Sequence, residues 1–215
     1  MKLFLFFSLF MLLTASCVAR ADSFYLSESA WAGALSGSPT TINFEGLVAN
    51  DTIVNYGYGP GASIAVGGVN FATGPLGANN FFDLAGDGAY SLVSVISIQP
   101  WNLNYPGDLL ITLPSAVTAL GFDFNGGRLG TATVTLSDGS VQEVGVPAAP
   151  SLTFFGVTAP GGITTVDITL PATDEQLDMA DFSYGTEATP EPSSFLLLAS
   201  GLSGLAGMVK RKMRA

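Results

Sequence analysis

The sequence predicts an all-β domain, an antiparallel β-sandwich of the jelly-roll type, and three observations carry that reading. Apolar and polar residues alternate along many short runs, which gives each strand one dry and one wet face. No stretch shows sustained helical periodicity. Gly, Pro, Asn and Asp separate about ten such runs, the punctuation expected of a sandwich.

Taken along the chain, the early candidate strands are Thr41 to Glu45, Thr52 to Tyr56, Val69 to Ala72 and Tyr90 to Gln99. Asp108 to Leu113 and Leu120 to Phe124 follow, the second with Leu120, Phe122 and Phe124 alternating with Gly121 and Asp123. Thr131 to Leu136 places Ala132, Val134 and Leu136 on one face and three threonines on the other. Val141 to Val146 comes next, and Asp138-Gly139 between the two runs is a strong hairpin signal. Leu152 to Thr158, Thr165 to Leu170 and Met179 to Tyr184 complete the set, with Val166, Ile168 and Leu170 inward and Thr165, Asp167 and Thr169 outward. The stretch from Gly57 to Gly88 is the least regular and is expected to form long loops over the sandwich. The predicted core includes Phe44, Leu120, Phe122, Val134, Leu136, Val166, Ile168 and Phe182.

Composition narrows the chemistry. Of 17 acidic and 7 basic residues, the span 22–189 holds sixteen acids and a single base, Arg128, a net charge near −15. Nucleic acid is therefore excluded as a partner, because binding phosphates needs a basic patch. Cys17 is the only cysteine and histidine is absent, which removes disulfides, thiolate and imidazole metal sites and His-based triads. Lysine is missing from residues 22–189, so Schiff-base and Ser-Lys chemistry go too. Any catalysis would fall to carboxylates, and hard divalent cations are the metals such a chain could attract.

The two ends have their own signals. Met1-Lys2, the apolar run Leu3 to Leu13 and Ala19-Arg20-Ala21 have the order of a secretory leader, with cleavage by signal peptidase expected after Ala21. Thr14-Ala15-Ser16 lacks the branched residue usual before a lipidated cysteine, which argues against acylation of Cys17. Residues 22–188 are then one domain, long enough for a real core. Beyond it lie Pro190-Glu191-Pro192 with Ser193-Ser194, an apolar segment 195–209 and a basic tail 210–215. The apolar segment is short for a membrane span, about 22 Å as a helix against a hydrocarbon core of about 30 Å. Lys210, Arg211, Lys212 and Arg214 would stay cytoplasmic, which puts the domain across the inner membrane. Gly201, Gly204 and Gly207 leave a small-residue stripe for a partner helix.

These last 27 residues, from Thr189 to Ala215, resemble the PEP-CTERM sorting signal of Gram-negative bacteria. The resemblance implies processing by an exosortase near Pro190, Glu191 and Pro192, transient residence in the inner membrane, and a non-catalytic product at the cell surface or outside it, associated with exopolysaccharide or biofilm. Thr41 to Leu47, Phe154 to Val157 followed by Thr164 to Ile168, and Asp181 to Gly185 resemble jelly-roll domains of such proteins, which are similar to carbohydrate-binding modules. That second resemblance implies first and last strands lying side by side with a structural calcium ion near them, held by Glu45, Asp178 and Asp181.

Two loops have residues suited to a site. Trp101-Asn102-Leu103-Asn104-Tyr105-Pro106 interleaves aromatics with amides, so Trp101, Asn102, Asn104 and Tyr105 are candidate glycan contacts; the same residues could plug one end of the sandwich. Asp83 to Gly88 has a faint EF-loop look, but Ala85 and Ser94 stand where ligands belong, and it reads as a turn. The alternative activity is a carboxylate-based glycan hydrolase, which needs two acids about 5 to 9.5 Å apart in a cleft.

Overall fold

The computed structural model describes residues 21–89, 95–100, 105–172 and 176–188. It opens with β1 (Ser23–Tyr25) and the short helix α1 (Glu28–Ala32), then β2 (Thr40–Asn43), β3 (Ile53–Tyr58), β4 (Ser63–Val66), β5 (Val69–Thr73) and β6 (Asn80–Ala85). The second half contains β7 (Val95–Pro100), β8 (Gly107–Gly126), β9 (Gly130–Leu136), β10 (Val141–Val146), β11 (Thr153–Leu170) and β12 (Leu177–Gly185). Every named strand pairing is antiparallel, so the all-β sandwich read from the alternation is the observed fold.

Two strands organise the sandwich. β8 and β11 are 20 and 18 residues long, and each passes through both layers. Layer A contains β4, β5, the first part of β8, the second part of β11, β9 and β10. Layer B contains β1, the first part of β11, the second part of β8, β12, β7, β6 and β3, with β2 beside the last residues of β12. The sequence predicts two separate strands in each of these long spans. Pro114 and Pro160-Gly161 break the alternation there, and the β8–β11 register shifts between Thr158 and Thr165, so the chain bends from one layer to the other without leaving the sheet.

All eight predicted core residues are buried. Phe71 of layer A meets Phe182 of layer B edge to face at 5.6 Å, an aromatic contact that joins the layers, while within layer B Phe122 lies 5.2 to 6.4 Å from Phe124, Phe155 and Phe182. Asp138-Gly139 forms the predicted turn between β9 and β10, with φ of 89° at Gly139, a region open to glycine without strain.

The stretch from Gly57 to Gly88 differs from its expectation. Besides β5, which is the expected strand Val69 to Ala72, it contains the end of β3 and all of β4 and β6; only the segments between them are loops. β6 does alternate, with Phe82 and Leu84 wholly buried in the core, but glycine-rich flanks hide a six-residue run. Asp83 to Ala85 accordingly closes β6, and the turn begins only after it.

The sequence also gave no sign of α1. Ser27 caps it by accepting from the Ala30 N–H at 3.4 Å, and Glu28 sits favourably in its first turn. Its one buried residue, Trp31, lies over the outer face of layer B, where its indole donates to the Val157 carbonyl at 3.2 Å. Two directly paired glycines, Gly121 and Gly156, form the slot beneath it. A Cβ on Gly156 would stand 2.7 Å from the Phe154 ring and 2.8 Å from the indole, so only glycine fits.

Candidate ligand-binding face

The rest of the outer face of layer B carries polar residues in register. Asn55 lies opposite Asp83, Asp83 opposite Ser97, Ser97 opposite Asp178, and Asp178 opposite Asn125. Strand alternation thus places one polar side chain from each of five neighbouring strands in a single row. Asp83, Ser97, Asp178 and Asn125 are buried. Asn55 donates to Asp83 Oδ1 at 2.7 Å, whereas the Ser97 hydroxyl and both Asn125 amide atoms are buried without a hydrogen-bond partner. Buried polar groups left in that state are costly.

Beside it runs a second, more open row. Tyr58 lies opposite Phe81 and Phe81 opposite Gln99, and Gln99 reaches Gln176 just before β12. The Tyr58 and Phe81 rings are 5.0 Å apart, and Tyr58 is 49% exposed; its hydroxyl donates to Asn79 Oδ1 at 3.0 Å. Gln99 Nε2 donates to Gln176 Oε1 at 3.2 Å, and Gln176 Nε2 donates to Asp178 Oδ2 at 2.5 Å. A carboxylate only accepts, so Asp178 fixes which way Gln176 points, and Gln176 in turn fixes Gln99. The outcome is a strip of two aromatic rings followed by two oriented amides, flanked on the same face by the buried row.

On the same face Asp123, Asp181 and Glu28 crowd together. The Asp123 pKa is pushed up to about 6, first by burial and then by the charges of Glu28 and Asp181; Asp181 is raised by burial and Glu28. On layer A, burial and then the adjacent Asp108 carboxyl push Asp167 up to about 7.

The sequence-predicted sites fall in different places. β2 and β12 are neighbours as expected, with Asn43 opposite Asp181. Glu45 is exposed two residues beyond that pair, Asp181 lies beside Asp123 with its carboxyl only partly screened from solvent, and Asp178 belongs to the buried row. Among the described residues no group of three or more acidic side chains is arranged to hold a metal. Trp101, Asn102 and Asn104 lie outside the described residues, while Tyr105 is half-buried at the entry to β8. The leader, residues 90–94 of the fourth predicted strand, the motif Pro190-Glu191-Pro192 and the apolar segment 195–209 also lie outside them, and no helix of the described residues is long and apolar enough to cross a membrane. Sequence reasoning missed Tyr58, Phe81, Gln99 and Gln176. Their signal is register across four chain segments, which alternation within one segment does not reveal.

Comparison with known proteins decides the nature of the tail. Residues 188–212 match the PEP-CTERM protein-sorting motif. That motif implies an exported, exosortase-sorted protein. No curated protein matches the chain. Solved structures with a similar course include a CBM29-2 mutant, from work on ligand recognition by family 29 carbohydrate-binding modules, at 12% identity and a TM-score of 0.39, covering 63% of this chain and 94% of that one. Another is the family 11 carbohydrate-binding module of the cellulosomal cellulase Lic26A-Cel5E of Clostridium thermocellum, at 8% identity and a TM-score of 0.37, covering 72% and 98%. At such scores any ligand of this chain has to be read from its own residues.

Proposed function

We propose that this exported protein is a non-catalytic glycan-binding protein of the cell surface or extracellular matrix, and that Tyr58, Phe81, Gln99 and Gln176 form its contact strip. The observation that carries the reading is the strip itself, two adjacent rings followed by two amides whose orientation a buried carboxylate fixes. A sugar ring offers apolar C–H faces to an aromatic side chain and hydroxyls that both donate and accept, the pairing that an amide's oxygen and nitrogen supply. Because sixteen carboxylates face one base in residues 22–189, the ligand is a neutral polysaccharide rather than a polyanion. Exopolysaccharide around the producing cell is the natural source of such a chain, and exosortase processing would deliver the protein there.

The test is a polysaccharide panel probed with the purified full-length chain and with a Gln99→Ala/Gln176→Ala variant. Retention on a neutral glycan by the parent, lost in the variant, is the expected result. No retention on any glycan would sink the reading. Release of reducing ends during incubation would instead favour the hydrolase, with Asp83 and Asp178, two strands apart in the buried row, as its acids.

A further inference from the structure

The outer face of layer A carries a second arrangement, far in register from the strip. Asp108 on β8 lies opposite Thr169 on β11, and Asp167, two residues back along β11 on the same face, lies opposite Thr135 on β9. Asp108 is wholly buried under the loop that follows β5, where a Cβ on Gly74 would meet its carboxylate at 2.3 Å. One carboxylate oxygen, Oδ2, accepts from the Leu76 N–H. The other, Oδ1, is buried with no hydrogen-bond partner, and so is Oδ1 of Asp167.

We propose that Asp108 and Asp167 bind a calcium ion on this face. Two buried carboxylate oxygens that lack donors form a site of net negative charge, and the sole base of residues 22–189, Arg128, is on the exposed turn before β9. The donors within register reach are all oxygen, the two carboxylates and the Thr135 and Thr169 hydroxyls. Oxygen-only sets select hard cations, and calcium tolerates irregular geometry better than magnesium. Asp167 is only half-buried, which leaves water a way in to complete the six to eight ligands that calcium takes. The fixed Asp108 is the anchor and Asp167 the closing ligand.

The experiment is calcium titration of the chelator-treated full-length chain by calorimetry and by thermal melting, in the parent, Asp167→Asn, Asp108→Asn and Asp181→Asn. Expected are binding of one ion and a rise in melting temperature in millimolar calcium for the parent and Asp181→Asn, with affinity at least about tenfold weaker in Asp167→Asn. Asp167→Asn keeps the side-chain shape and removes a buried charge, so it folds; if Asp108→Asn does not fold, Asp167→Asn alone decides. Absence of calcium binding by the parent overturns the proposal, since the two carboxylates then merely share a proton. Binding that survives Asp167→Asn but is lost in Asp181→Asn overturns it as well, in favour of a site at the β2–β12 pairing.

Discussion

The two outer faces of this sandwich are built from the same strand alternation and end up unlike each other. On layer A, Thr131, Thr133 and Thr135 of β9 project outward beside Thr165, Asp167 and Thr169 of β11, polar side chains on regular strands that are half-buried or exposed. On layer B, the outward positions are glycines under Trp31, then a buried polar row, then an aromatic and amide strip. A face becomes specific when residues from distant chain segments meet on it, as Trp31 meets Gly121 and Gly156 from about ninety or more residues away.

The largest effect separating the faces should come from Trp31. Trp31→Ala removes the wholly buried cover of layer B and its hydrogen bond to Val157, and should cost about 3–5 kcal/mol in urea unfolding. Thr133→Ala on layer A should stay within about 0.5 kcal/mol. A glycine pair sharpens the contrast. Gly156→Ala forces a Cβ against Phe154 and Trp31 and should destabilise by about 1–3 kcal/mol. Gly145→Ala on β10, where nothing lies within 4 Å, should be neutral or slightly stabilising. Equal costs for the two glycines would show that the slot is not the constraint.

Much of the fold was legible because alternation is a local signal. Ala132, Val134 and Leu136 needed only six residues of context, and all eight core assignments turned out buried. The candidate site was not legible, for a physical reason. Tyr58, Phe81, Gln99 and Gln176 are spread over more than a hundred residues, and only backbone register brings them into line. β6 escaped because its flanking glycines resemble loop, and Trp31 because a one-turn helix has no periodicity to detect. The predicted pair of end strands did form, yet of its three acids Asp178 serves to orient an amide.

A smaller effect compares one carboxylate on each layer. Asp123 on layer B and Asp167 on layer A have folded-state pKa values of about 6 and about 7, above the ordinary value of about 3.9 expected when unfolded. The fold therefore disfavours their charged forms. Each contributes a penalty that is absent below pH ~4 and develops as pH rises through its folded pKa. In chelator, the melting temperature should fall between pH 4 and 8. Asp123→Asn should remove the part complete by about pH 6, and Asp167→Asn the part extending to about pH 7. A pH profile unchanged by both substitutions would show that neither face stores this repulsion.

The most direct measurement is the affinity of the full-length chain for the neutral polysaccharide it retains best, compared between Phe81→Ala on layer B and Thr133→Ala on layer A. Phe81 contributes one ring of the 5.0 Å pair with Tyr58, so its loss should weaken binding at least tenfold, about 1.4 kcal/mol, while Thr133→Ala leaves affinity unchanged. Binding that survives Phe81→Ala and is lost with Thr133→Ala would place the ligand on the threonine face and contradict the account.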